Sequence, residues 1–209
     1  YEILSKRTLM ISLVHKVIFI HIPKCAGQSI EETFLNDLQL NWDDHRYLFG
    51  CFKKPANWNK NIPDRIAHIT AKEILEFNFL PVEIFDSFYK FSIVRDPVQR
   101  LISSWNYLNP DANFDDWVSS TVLAGHKEKN YFFKDQADYL FDENNNSLVD
   151  DIIPFKTLGS SKHNFYNYLE NVSAISHRNA SKKRDVYVSD ETTKLIEDIY
   201  KKDYKYLDF

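Results

Sequence analysis

The sequence predicts an α/β fold, a mostly parallel central sheet with helices on both faces. Two strand–turn–helix units carry that reading. The first runs through Val17-Ile18-Phe19-Ile20-His21-Ile22, rich in β-branched and aromatic residues as a buried strand requires. It breaks at Pro23 and Gly27, and a helical pattern follows at Ile30, Thr33, Phe34 and Leu38. The second begins at Tyr89, with Phe91–Arg95 as a short buried strand. Asp96-Pro97 then opens a helix, the aspartate as N-cap and the proline at the first helical position. Its apolar residues Val98, Leu101, Ile102 and Trp105 recur at helical spacing. Strands that alternate with helices imply a parallel sheet covered on both sides. Ligands of such sheets bind at the carboxyl ends of the strands, which is where Lys24 and Arg95 fall.

The remaining elements follow in order. Met10 stands just before the first strand. Between the two units lie a polar loop with Trp42 and Trp58 and a helix over Thr70–Phe79. Asn109–Asp115 is a turn-rich break, and Phe114–Leu123 reads as a further helix. Glu143-Asn144-Asn145-Asn146 forms a loop tip, and Val149–Phe155 an edge strand limited by Pro154. Phe165–Leu169 reads as helical, and 177–184 as a polar, basic segment. A last helix starts at Ser189 as N-cap, with Asp190 and Glu191 at the positive end of its dipole, and buries Leu195, Ile196 and Ile199.

Composition bounds the function. The chain has 209 residues, 44% hydrophobic and 27% charged, with 16 Phe, 12 Tyr and only 4 Gly. That describes a packed globular fold with few flexible loops. A net charge of −4 argues against a surface that coats nucleic acid. The two cysteines, Cys25 and Cys51, form no disulfide framework and read as free thiols in a reducing, cytoplasmic setting. The apolar run from Leu9 to Ile22 is interrupted at His15-Lys16, so no membrane span is expected. Residues 1–9 precede Met10 as an upstream segment, and residues 10–209 are expected to form one domain.

The turn His21-Ile22-Pro23-Lys24-Cys25-Ala26-Gly27-Gln28-Ser29 leads from strand into helix and is a candidate anion cradle. Helix N-termini present unpaired N–H groups and a positive dipole end. Lys24 adds a mobile ammonium and Ser29 a hydroxyl. The turn is not the nucleotide loop G-x-x-x-x-G-K-[ST], because Lys24 precedes the glycine by three residues. An ordinary connection with a solvated lysine would read the same in isolation. Arg95 ends the second strand, and its guanidinium fork suits bidentate grip of a phosphate. Ser103 lies two turns into the following helix and faces back to the same edge if that helix packs through Leu101 and Trp105. Alone, each could be a salt-bridge partner or a surface hydroxyl.

The nine-residue turn resembles the phosphosulfate-binding turn of carbohydrate-type sulfotransferases, and Phe91–Ser103 resembles their 3′-phosphate-binding motif, in the same order and spacing. His177–Lys182 more faintly resembles the loop that folds over the nucleotide, and Ile199–Tyr204 the closing helix. The resemblance implies the P-loop NTPase-like sulfotransferase fold and a sulfuryl donor, 3′-phosphoadenosine 5′-phosphosulfate, leaving adenosine 3′,5′-bisphosphate. It implies that Lys24 contacts the bridging and sulfuryl oxygens. The turn formed by Cys25, Ala26, Gly27, Gln28, Ser29 and Ile30 would supply backbone N–H groups. Arg95 and Ser103 would hold the 3′-phosphate, with Ser181 and Lys182 closing over it.

No carboxylates cluster at metal-ligand spacing, so no metal is expected. The acceptor is expected to be a hydroxyl compound, a saccharide by the same resemblance, with Lys127, Lys129 and Lys162 able to line a local groove. His68, just before the Thr70 helix, is the candidate general base, and histidine's ordinary titration range suits that task. It could equally cap or pack against that helix. His21 is expected to support the turn, while His45, His126, His163 and His177 read as surface residues. One departure stands out: relatives carry Arg-Phe-Glu near the late strand where this chain has Pro154-Phe155-Lys156. Two other classes compete, a nucleotide kinase or other phosphate-loop NTPase and a non-catalytic nucleotide-binding domain.

Overall fold

A computed structural model describes residues 10–48, 66–176 and 186–209. Its centre is a four-stranded sheet of β1 (Met10–Ser12), β2 (Val17–Ile20), β3 (Tyr89–Val94) and β4 (Asp151–Pro154), in that spatial order. β2, β3 and β4 run parallel, with Phe19 opposite Phe91 and Phe91 opposite Asp151. The chain is thus α/β with a mostly parallel sheet. Every residue of β2 and all but the first of β3 are buried, as strands covered on both faces must be.

β1 was not expected. It pairs antiparallel with β2, Met10 opposite Phe19, in a hairpin whose turn ends on Lys16 in the left-handed region at φ 55. The polar break at His15-Lys16 is therefore a turn within the fold. His15 is buried there between Ser12 Oγ, 2.6 Å from Nδ1, and Asp37 Oδ2, 3.0 Å from Nε2. Asp37 ends the helix α1 (Gly27–Asp37), so this contact pins the hairpin to the first helix.

The helix predicted over Thr70–Phe79 is shorter, α2 (Ala71–Glu76), because Asn78 turns left-handed at φ 53 directly after its cap. Its start is a capping box: Glu73 N–H donates to Thr70 Oγ1 at 3.1 Å, and Thr70 N–H to Glu73 Oε2 at 2.7 Å. An unanticipated α3 (Val82–Ser87) follows Pro81. The second unit forms as read: Asp96 caps α4 (Pro97–Leu108), accepting from Gln99 N–H at 2.9 Å, and Asn109 ends it in the left-handed conformation. The Phe114 helix is α5 (Phe114–Trp117), which continues through a π turn (Val118–Val122) into α6 (Leu123–Lys127). α7 (Ala137–Leu140), a short 3₁₀ helix at Asn164–Tyr168, α8 (Asp190–Ile199, capped by Ser189) and α9 (Lys201–Tyr206) complete the described elements.

Two apolar clusters hold these together. One surrounds the sheet, where Phe34 of α1 and Phe165 pack on Phe91 with ring centroids 6.2 and 5.1 Å away. The other joins α4, α5 and α8 through Leu101, Trp105, Trp117, Val118 and Ile196. The packing face predicted for α4 is thus the one it uses. Among the described residues no helix is long and apolar enough to cross a membrane.

Candidate active site

Beyond β2 the chain passes through the turn into α1 at Gly27, with Lys24 and Ala26 both left-handed at φ 66 and 59. Non-glycine residues in that region each cost on the order of 1 kcal/mol or more, and such strain collects at ligand sites. Left-handed residues within a tight turn swing neighbouring N–H groups toward one concavity. Ser29 and Ile30 donate their N–H groups to the Ala26 carbonyl at 2.9 and 3.2 Å, which places those two amides in the helix rather than the cradle. The amides of Ala26 and Gly27 precede the first intrahelical bond.

Gly27 is required by close approach. A Cβ there would fall 1.8 Å from Nε2 of His21, whose ring fills the space under the turn. His21 is buried, with Nδ1 3.0 Å from Glu31 Oε1, so it supports the turn as expected. His68 ends a 3₁₀ turn (Ile66–His68), with its ring set edge-on to His21 at 4.5 Å. His68 Nδ1 lies 2.9 Å from the His21 carbonyl oxygen. A carbonyl only accepts, so Nδ1 carries the proton, and in the neutral ring the lone pair sits on Nε2. The capping alternative for His68 falls away, since Thr70 and Glu73 cap α2 themselves.

Lys24 is half-buried, its ammonium 4.0 Å from the centre of the Tyr107 ring on α4. Arg95, at the end of β3, brings its Nη1 to the Lys24 carbonyl at 3.4 Å and lays its guanidinium 4.4 Å from the Phe155 ring centre. Its Nε is buried with no hydrogen-bond partner among the described residues. Desolvation draws the Arg95 pKa below the usual arginine value. A half-buried cation with an orphaned, buried donor suits an anion, so the residues present fit a phosphate group.

Other sequence candidates fare differently. Ser103 is a half-buried hydroxyl on α4, two turns beyond the Asp96 cap. The Cys25 side chain turns inward: its thiol is fully buried and donates to Gln136 Oε1 at 3.4 Å and the Pro23 carbonyl at 3.6 Å. Burial pushes the thiol pKa up to about 11, so Cys25 stays protonated, and its backbone N–H donates to the Ile22 carbonyl at 3.3 Å. Gln28 is half-buried in the first turn of α1. Ser181, Lys182, His177, Cys51 and Trp58 lie outside the described residues.

His126 is half-buried rather than exposed, with Nε2 2.9 Å from Asp135. Lys129 pairs with Asp138 at 3.1 Å, where Lys202 also converges, so it belongs to an ion-pair group. Among the described residues no cluster of three or more histidine, cysteine or acidic side chains could hold a metal. A surface cleft of about 480 Å³ opens between Trp105, Phe114 and Tyr187, on α4 and α5 and not at the turn.

Sequence reasoning passed over Tyr107, met Phe155 only within the Pro154-Phe155-Lys156 departure, and took Gln136 only as a loose match to a glutamine often found before the acceptor site of such enzymes. Gln136 is fully buried in the structure, and such an amide must find partners.

A sequence profile of the sulfotransferase family matches residues 7–168, which span the turn, His68, Arg95, Ser103 and Gln136, and the chain belongs to that family. It is accordingly a transferase of sulfo groups. No curated protein and no solved structure matches it.

Proposed function

We propose that the protein moves a sulfuryl group from 3′-phosphoadenosine 5′-phosphosulfate to a hydroxyl of a saccharide, in a cytoplasmic setting. The observation that carries this reading is the meeting of two distant segments, the Lys24 carbonyl and the Arg95 guanidinium at 3.4 Å, beside the orphaned Arg95 Nε. Two cationic side chains separated by a helix N-terminus suit a ligand with phosphates at both ends. The saccharide assignment rests on the likeness of both motifs to carbohydrate-type enzymes. The free, buried thiol of Cys25 supports the reducing compartment.

The bound donor would supply the sulfuryl group and a phosphate leaving group. Lys24, released from the Tyr107 face, would place its ammonium beside the bridging oxygen as negative charge develops there. The amides of the turn, with the Ser29 hydroxyl, would orient the 5′ end, and Arg95 with Ser103 the 3′-phosphate. Ser181 and Lys182 would cover that phosphate. His68 would accept the acceptor's hydroxyl proton at Nε2 while the His21 carbonyl holds its Nδ1–H, fixing ring and tautomer. The arrangement asks for positioning and charge relief, and none of these roles calls on a metal.

Transfer of labelled sulfuryl groups to a panel of saccharides and small hydroxyl compounds tests the reading. Label in a saccharide supports it. Transfer confined to non-saccharide hydroxyls would overturn the acceptor class, and hydrolysis of ATP with magnesium in place of transfer would favour the NTPase alternative.

A further inference from the structure

The end of β3 is held by a side chain. β3 and β4 stay in register as far as Val94, which pairs with Pro154. At Arg95 the ladder stops and Gln136 takes over: its Oε1 accepts from Arg95 N–H at 2.9 Å and its Nε2 donates to the Arg95 carbonyl at 2.8 Å. The side-chain amide thereby does what the peptide of a neighbouring strand would do. The same Oε1 takes the Cys25 thiol at 3.4 Å, one residue from Lys24. The second Nε2 proton goes to Asp203 Oδ2 at 3.1 Å, and Asp203 Oδ1 accepts from Ala137 N–H at 2.9 Å. Two donors and two lone pairs are all an amide offers, and Gln136 uses all four.

The anchor is as enclosed as the amide. Gln136 and Asp203 are both fully buried. Arg100, on the same helix as Ser103, approaches Asp203 at 3.9 Å and donates from Nη2 to the carbonyls of Phe132 and Lys134. An apolar side chain of equal size would fill the volume but strand both backbone groups of Arg95 and take the hydrogen-bond donor from Asp203 Oδ2. Unsatisfied buried polar groups are expensive, which explains a glutamine at this position.

We propose that Gln136 is a positioning residue that keeps the Lys24 turn and Arg95 in register, with Asp203 of α9 as its anchor. It rests on the donor reading above, because the register matters for two separated phosphates. Loss of Gln136 lets both segments move independently, and a donor that must touch both binds less well. Losing one or two such bonds corresponds to roughly a tenfold weakening of donor affinity.

Hydrogen exchange and kinetics on Gln136→Leu test the proposal, with Val118→Ala in the α5–α8 cluster as a destabilised control. Faster exchange is expected in both segments, residues 22–29 and 94–97, beyond that of the control. The donor KM should rise about tenfold with a smaller change in kcat. Wild-type-like exchange in either segment, or an unchanged KM, would overturn the role. Should Gln136→Leu not fold, Asp203→Asn removes one acceptor from the amide and is expected to loosen the same two segments to a lesser degree; no loosening there overturns it equally. Failure of the wild-type protein to bind adenosine 3′,5′-bisphosphate would instead sink the donor reading, and exchange alone would then decide the role of Gln136.

Discussion

The Arg95 guanidinium donates to the Lys24 carbonyl at 3.4 Å across 71 residues of sequence. Two segments that the sequence offers as separate candidate anion sites thus meet in the fold. The carbonyl rather than the ammonium of Lys24 makes this contact, so its side chain remains a separate tool, resting on Tyr107.

Lys24→Ala should abolish sulfuryl transfer and leave the fold intact. The contact with half-exposed Tyr107 is worth about 0.5–1 kcal/mol, so thermal unfolding should shift only slightly. Wild-type turnover in this variant would remove Lys24 from the chemistry.

His68→Ala should lower kcat by roughly 10²–10⁴-fold with donor affinity preserved. A variant that turns over normally would move the base elsewhere.

Gly27→Ala should destabilise the protein by about 1–3 kcal/mol, since the new Cβ would stand 1.8 Å from His21 Nε2 and force the ring off its seat. Combining it with His21→Ala should recover part of the loss. An unfolding midpoint unchanged by Gly27→Ala would mean that the ring does not fill that space.

Stability should respond to pH through Asp203. Burial, only partly opposed by Arg100, raises its pKa from 3.8 to about 6. The folded state then holds a proton that the unfolded chain has released. Asp203 therefore favours folding most below pH 3.8, and that contribution is lost as pH rises to about 6. Asp37 behaves oppositely: burial works against it, but the Asn171 and Glu170 amides hold its pKa below the ordinary value, so its contribution is lost only at lower pH. Unfolding free energies of wild type and Asp203→Asn should diverge between pH 4 and 6. Parallel curves would contradict the assignment.

What the sequence revealed follows from how local each signal is. The turn and the Asp96-Pro97 helix start are written in neighbouring residues, so both units and the α4 packing face could be read directly. β1 could not, being three residues long with a turn that closes on Lys16 in place of glycine or asparagine. His15 is buried only because Asp37, 22 residues on, lies there to meet it. The role of Gln136 could not be read locally beyond a loose likeness, since its partners at residues 25, 95 and 203 come together only on folding. His68 could be singled out by position, but the proton on Nδ1 follows from a contact 47 residues away.

The most direct measurement is calorimetric titration of wild type, Lys24→Ala and Arg95→Ala with adenosine 3′,5′-bisphosphate, set against ATP with magnesium. The account predicts tight, metal-independent binding of the bisphosphate by wild type, weakening of at least about tenfold in Arg95→Ala, and indifference to ATP. Binding of ATP with magnesium in preference to the bisphosphate, or bisphosphate affinity untouched by Arg95→Ala, would contradict it.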